Sequence, residues 1–266
     1  MSRSKDPKDV WGAVLTGTDP ILRYGRTVLR YLPSAPRCKL CNAPFSGPGS
    51  VLMKLIGKTP WERNPRICRF CIASLPRRWP GGVELDASLL FADIRGSTAL
   101  AERMNPAQYG EVINRFFRTA TEAFVRHDAI IDQLVGDEAI GLFLPGYAGP
   151  AHAGQAISAA RALIAAMDEE GEDDTHLPVG IGVHTGLVFI GSVGSPESFT
   201  DFTALGDAVN TAARLASAAR GGEILMSEAS RAAAGIESGQ VEARLLDLKG
   251  KAEPFLAYRL QPSPRE

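Results

Sequence analysis

The stretch Leu89-Leu90-Phe91-Ala92-Asp93-Ile94-Arg95-Gly96-Ser97-Thr98, joined further on by Leu134-Val135-Gly136-Asp137-Glu138-Ala139, decides how this chain folds. Each half is an apolar run that reads as a strand ending in one aspartate. Backbone hydrogen bonding fixes a residue in that position, so two such strands side by side hold a pair of carboxylates close enough to chelate divalent cations. Paired carboxylates of this kind suit polymerase-like nucleotidyl chemistry. There, one metal lowers the pKa of an attacking hydroxyl and a second neutralises the charge that builds on departing phosphates.

Working outward, strands and helices alternate from Ala87 onward. The patterning predicts strands at 88–92, 129–135, 139–144, 179–183 and 187–192, with shorter ones at 223–226, 241–246 and 255–259. Helices are predicted over 107–127, 151–167 and 208–219, each alanine-rich or carrying a 3.6-residue apolar repeat. The acidic stretch Gly171 to His176 reads as an exposed loop. The order strand, helix, helix, hairpin, helix, strand matches a ferredoxin-like α+β sandwich with added elements. In that plan the first strand lies beside the 130–144 hairpin, which brings Asp93 and Asp137 together.

The 266 residues, 45% hydrophobic and 22% charged, suffice for one main domain plus a smaller element. The expected division is a helical segment over 1–36, a four-cysteine subdomain over 37–80 and the main domain over 81–266. No stretch approaches the roughly 20 apolar residues that span a bilayer, and Met1 to Asp9 is charged with no apolar run behind it. The expected location is the cytoplasm. Net charge is −1, but residues 1–86 carry 15 Lys+Arg against 6 Asp+Glu while residues 87–266 carry 14 against 24. A basic segment on an acidic domain meets nucleic acid or anionic lipid, or docks on its own neighbour. Nucleic-acid binding is disfavoured: Trp11, Tyr24, Tyr31, Phe45, Trp61, Phe70 and Trp79 form no stacking platform. Ile21, Gly25, Val28, Leu29 and Leu32 fall at helical spacing, a stripe expected to pack on the protein or a second copy, with peripheral membrane contact as the lesser reading.

All four cysteines lie in two Cys-x-x-Cys pairs, Cys38/Cys41 and Cys68/Cys71. In a reducing compartment that pattern reads as a four-thiolate metal site, because each tight turn brings two sulfurs to one tetrahedral ion. The 26 residues between the pairs exceed the usual ribbon spacing and must form structure of their own, with a helix expected near Val51 to Ile56. Zinc is the default occupant and an iron-sulfur cluster the alternative.

After Asp93 the chain turns into a helix that Ser97 or Thr98 is expected to cap, with exposed amides suited to an anion. A second constellation is Phe202-Thr203-Ala204-Leu205-Gly206-Asp207-Ala208-Val209-Asn210-Thr211-Ala212-Ala213-Arg214-Leu215, where Asp207 reads as an N-cap. Asn210 and Arg214 are four apart and share one helical face, in a helix otherwise rich in alanine. A polar ligand best explains an isolated amide and guanidinium there. His184, at the end of a predicted strand, reads as a satisfied core histidine.

These motifs, together with Leu248-Lys249-Gly250-Lys251, resemble the catalytic domain of class III nucleotidyl cyclases, the adenylate and guanylate cyclase family, over residues 87 to about 260. The resemblance implies an α+β, ferredoxin-like class III cyclase sandwich acting as a homodimer. Its sites, at the subunit interface, would convert a nucleoside triphosphate to its 3′,5′-cyclic monophosphate and pyrophosphate. Carried over by motif, Asp93, Asp137 and the Ile94 carbonyl would hold two Mg²⁺ or Mn²⁺ ions. The amides of Arg95, Gly96, Ser97 and Thr98 would cradle the triphosphate. From the other subunit Asn210 would orient the ribose and Arg214 would stabilise charge on the α-phosphate, a role that suits a guanidinium fork. Lys249, and less so Lys251, would meet the terminal phosphates.

Base recognition departs from the family pattern. Where adenylate-forming members carry lysine, this chain has Gln133, and its partner position is Thr203, as in a bacterial subgroup in which threonine replaces aspartate. A glutamine amide serves adenine, or after a flip guanine. The threonine favours ATP over GTP. The expectation is a soluble adenylate cyclase regulated by its metal-bound segment, against a guanylate cyclase or a nucleotide-binding relative with little turnover.

Overall fold

The computed structural model describes residues 7–32, 35–62, 64–71, 81–169, 177–195, 199–250 and 253–260. The loop expected at 171–176 and Lys251 lie outside them. Helices α1 (Pro7–Leu15), α2 (Pro20–Leu29) and α3 (Gly47–Leu55) and the hairpin β1 (Pro60–Trp61) to β2 (Asn64–Cys68) precede the long strand β3 (Gly82–Ile94). Then follow α4 (Ser97–Arg103), α5 (Pro106–Arg126), β4 (Ile130–Val135), β5 (Glu138–Phe143), α6 (Pro145–Ala148) and α7 (His152–Glu169). The remainder is β6 (Val179–Ser195), β7 (Phe199–Leu205), α8 (Asp207–Ala218), β8 (Ile224–Ser227), α9 (Glu228–Ala233), β9 (Val241–Leu246) and β10 (Phe255–Leu260).

The main sheet runs β4-β5-β3-β6-β8-β10-β9, and β7 pairs with β6 off that path. Strand β3 is central, and both its faces are buried. Leu85, Ala87, Leu89 and Phe91 enter one apolar cluster, Leu90, Ala92 and Ile94 the other. It pairs antiparallel with β6 from Gly82↔Gly191 to Ile94↔Val179. The two strands expected at 179–183 and 187–192 are therefore one, because His184, Thr185 and Gly186 stay in register with Leu89, Ser88 and Ala87. Beyond that, β6 runs parallel to β8 at its start and antiparallel to β7 at its end. Strand β7 is absent from the sequence expectation, which took its residues as the approach to α8.

Helices α5 and α7 cover one face. Pro106 opens α5 behind a capping box in which the Asn105 side chain accepts from the Gln108 amide and the Gln108 side chain accepts in return. Its buried residues Ile113, Phe116, Ala120, Ala123 and Phe124 follow the 3.6-residue repeat. Hydroxyls tie the sheet to α7 and its strands to one another: Ser88 Oγ lies 2.9 Å from His152 Nδ1 and 2.7 Å from Thr185 Oγ1, and Ser227 Oγ lies 2.8 Å from His184 Nδ1. His184 thus has the hydrogen-bond partner a core histidine requires.

The opposite face carries α8 and the amino-terminal elements. Trp11 of α1 is fully buried and stacks on Phe202 of β7, ring centroids 6.1 Å apart. One continuous cluster joins Val10, Trp11 and the four cysteines to Leu89, Val188, Ile190 and Ala212. Burying each large side chain there stabilises the fold by about 1.5–3 kcal/mol. Leu22 and Leu29 of α2, and Leu32 just past it, pack on this cluster, but Ile21 and Val28 of the expected stripe are exposed. The packed face is rotated toward Leu22, because Gly25 rests against Cys41.

Helix α8 approaches β6 backbone to backbone. A Cβ on Gly182 would lie 2.2 Å from the Ala216 amide nitrogen and 2.3 Å from the Ala212 carbonyl oxygen. Gly182→Ala is expected to destabilise the protein by about 1–3 kcal/mol, because a helix backbone cannot yield as a side chain tip does. Thermal unfolding against the unaltered chain measures it, and an unchanged midpoint would show that α8 does not rest on this strand.

Candidate active site and thiolate centre

Asp93 ends β3 and Asp137 sits at the tip of the β4–β5 hairpin. Gly136 and Asp137 form a two-residue turn between the paired Val135 and Glu138, with Gly136 at φ +62°, which explains the glycine before the aspartate. The Ile94 amide donates to the Asp137 carbonyl at 3.2 Å, and Asp93 pairs in register with Glu138. The two strand ends are thereby fastened together. Three carboxyl groups result: burial first, then Asp93 and Asp137, pushes Glu138 up to about 7. Burial likewise raises Asp93, with Asp137 adding to it and Arg95 opposing. Such crowding of negative charge is what a divalent cation relieves.

The Arg95 side chain, unanticipated from sequence, reaches Asp93 Oδ2 at 2.6 Å and donates to the Ser217 carbonyl of α8 at 3.1 Å. Its amide is engaged too, donating to the Pro178 carbonyl at 2.7 Å. The expectation that the Arg95 amide faces an anion is corrected accordingly. Gly96, not Ser97 or Thr98, is the N-cap of α4, in the left-handed conformation at φ +75° and without a side-chain cap. Gly206 likewise caps α8 and Asp207 is its first residue, with Thr211 Oγ1 donating to the Asp207 carbonyl at 2.9 Å.

On α8 Asn210 is exposed and Arg214 half-buried. A Cβ on Gly250 would lie 3.2 Å from Arg214 Nη2, so the turn carrying the exposed Lys249 lies against this guanidinium. Leu248 anchors that turn in a small core with Leu215 and Leu225. Gln133 is half-buried on β4 and lines a cavity of about 510 Å³ with Asp132, Leu134, Thr121, Asp201 and Glu62. Thr203 does not turn to Gln133: it donates to Asp132 Oδ2 at 3.1 Å. Glu62 comes from the β1–β2 hairpin, a contact across so many residues that no local pattern announces it.

The second centre gathers Cys38, Cys41, Cys68 and Cys71, all buried and free of disulfides. Their sulfurs lie within 4.8 Å of one another, the single group of such ligands among the described residues. Cys41 Sγ and Cys68 Sγ are 3.8 Å apart. One tetrahedral ion with metal–sulfur bonds of about 2.3 Å sets its thiolates about 3.8 Å apart, so the donors fit a single ion. The Cys68 amide donates to Cys38 Sγ at 3.2 Å and Lys58 Nζ to Cys41 Sγ at 3.5 Å, both of which favour thiolate. Burial lowers Lys58, but the thiolates of Cys41, Cys71 and Cys68 outweigh it and raise it. Helix α3 and the β1–β2 hairpin fill the long interval between the pairs.

This unit is bolted to the start of β4. Asn64, fully buried, donates to the Ala129 carbonyl and accepts from the Tyr147 hydroxyl at 3.2 Å. Arg66 donates to the Val125 carbonyl at 3.1 Å and pairs with Asp128 at 2.9 Å, an ion pair that Lys39 shares.

A family model described as the adenylate and guanylate cyclase catalytic domain matches residues 84–260. The chain belongs to that family. Curated relatives include an adenylate cyclase of Anabaena cylindrica, 38% identical over 134 residues, which are 48% of this chain and 26% of that protein. An uncharacterized protein of Mycobacterium tuberculosis is 34% identical over 149 residues, 55% of this chain and 27% of that one. The chain thus spans about a quarter of the length of these relatives. Among solved structures, the guanylyl cyclase Cya2 superposes with a TM-score of 0.62 at 29% identity, covering 68% of this chain and 93% of that one. The adenylyl cyclase CyaB from P. aeruginosa gives 0.61 at 26% identity, covering 68% and 96%. The cyclase domain accordingly has the α+β sandwich of the family, with a four-cysteine unit at its amino-terminal side. Among the described residues no helix is long and apolar enough to cross a membrane.

The anchor between the two parts is open to test. Asn64→Ala leaves a buried carbonyl and hydroxyl unpaired and is expected to destabilise the cyclase domain by about 1–3 kcal/mol. Amide exchange should rise first at Ala129 to Val135. A variant as stable as the parent, with unaltered exchange, would show that the anchor carries no load.

Proposed function

We propose that this chain converts ATP to 3′,5′-cyclic AMP and pyrophosphate at sites shared between two copies. The observation that carries the reading is the fastening of the Asp137 hairpin tip to the end of β3 beside Asp93. Asp93, Asp137 and the Ile94 carbonyl would hold two Mg²⁺ or Mn²⁺ ions, which when bound lower the pKa of the ribose hydroxyl and offset phosphate charge. The amides of Gly96, Ser97 and Thr98 receive the triphosphate. Among the described residues no hydrogen bond joins Asn210 or Arg214 to Asp93 or Asp137. In this reading these side chains serve the site of a partner copy, where Asn210 would orient the ribose, Arg214 would stabilise the α-phosphate and Lys249 would meet the terminal phosphates.

Gln133 reads the base from the β4 cavity, with Thr203 contributing through Asp132. ATP is favoured by the threonine and by the Anabaena cylindrica relative, an adenylate cyclase. GTP is the second reading, because a glutamine amide also complements guanine and Cya2 is a guanylyl cyclase. At the thiolates we place one zinc ion, since a multi-iron cluster would set its four ligands farther apart than a single ion does. Zinc there closes the amino-terminal unit that anchors β4, and four free thiols accord with a cytoplasmic setting.

Purified protein with Mn²⁺ and either nucleotide should yield cyclic AMP in clear excess over cyclic GMP. The reverse ratio transfers the reading to GTP, and no product from either defeats it. Asp93→Ala and Arg214→Ala should each abolish activity, and a mixture of the two should restore part of it by completing one site per dimer; failure of that complementation would falsify shared sites. Elemental analysis should find about one zinc per colourless chain, and a coloured protein would overturn that assignment.

A further inference from the structure

Helix α3 buries only Ser50 and Met53. Its opposite pole is aliphatic: Val51 is 63% exposed, Leu52 58%, Leu55 79% and Ile56, just past the helix, 49%. Single exposed apolar residues are ordinary, but four within two turns, with no covering element among the described residues, form a contiguous patch that water disfavours. The charge beside the patch favours an anionic surface. Lys54 lies on the same helix, and Lys58 follows it with Nζ 4.5 Å from the centroid of the Phe70 ring, itself 51% exposed. Between residues 35 and 71 there are seven Lys and Arg against one acidic residue, Glu62.

We infer that the α3 pole docks on an anionic lipid bilayer, with Leu52 and Leu55 entering the interface while the exposed Lys54 meets the phosphate headgroups. A fluid hydrocarbon surface asks for no directional hydrogen bonds, and the pole supplies none. Lys54 beside it matches an anionic leaflet. A second copy fits less well, since a twofold contact through α3 would set Lys54 near its own image. This inference is independent of the nucleotide chemistry, because the patch belongs to the thiolate unit and not to the β3–β5 site.

The test is co-sedimentation of the full chain with vesicles of phosphatidylcholine alone or mixed with phosphatidylglycerol. Expected are pelleting with the mixed vesicles, little with the neutral ones, and weakening at high salt. The double substitution Leu52→Glu and Leu55→Glu should lower binding at least about tenfold, with far-UV circular dichroism, bound metal and cyclase turnover in solution unchanged. Should that variant misfold, Lys54→Glu alone is expected to weaken pelleting severalfold with the apolar pole intact. Absence of pelleting, equal pelleting with neutral vesicles, or pelleting unaltered by both variants would overturn the inference. So would a fall in oligomer mass by light scattering in the double variant, which would assign the pole to a contact between copies.

Discussion

The antiparallel ladder between β3 and β6 governs everything else in this protein. It runs from Gly82↔Gly191 to Ile94↔Val179, and its register decides which face of the sheet each side chain meets. A slip of one residue would turn Leu85, Leu89 and Phe91 from the amino-terminal elements toward α5 and α7. The same ladder delivers Asp93 to the edge where the β4–β5 hairpin ends. It also sets Gly182 beneath α8, where the absence of a side chain lets the helix lie directly on the strand. Both halves of the candidate site, the carboxylates and the Asn210–Arg214 helix, are thus positioned by one pairing.

Arg95 closes the arrangement. Its guanidinium spans Asp93 at the end of β3 and the Ser217 carbonyl near the end of α8, and its amide holds Pro178 at the start of β6. Three chain segments converge on one residue directly after the acidic strand. The Coulombic pull of Arg95 on Asp93 is outweighed by burial, so the carboxyl stays above its ordinary range.

Much of this was legible in the sequence, for physical reasons that differ by element. Strands such as β3 and β5 are legible as apolar runs because both their faces are buried, and helices such as α5 and α7 by periodicity, because each buries one face. The Gly136-Asp137 turn is legible because a two-residue hairpin requires positive φ at its first position. The patterning divides β6 in two at His184 to Gly186, whereas pairing with β3 keeps those residues extended. Strand β7 escaped notice because its residues lead straight into a conspicuous helix motif. The caps of α4 and α8 fell to glycine where hydroxyl or carboxylate side chains looked better suited. Glu62 beside Gln133 and the side-chain bonds of Arg95 depend on contacts between distant segments, which no local pattern encodes.

The apolar cluster that unites Trp11, the cysteines and the sheet has a consequence for where this protein can be divided. The stretch shared with other cyclases begins at residue 84, yet the apolar cluster that covers one face of its sheet begins with α1. An excised catalytic segment would present Leu85, Leu89, Phe91, Val188, Ile190 and Phe202 to water as a bare wall. The boundary of the family match and the boundary of the packed core therefore fall in different places along this chain.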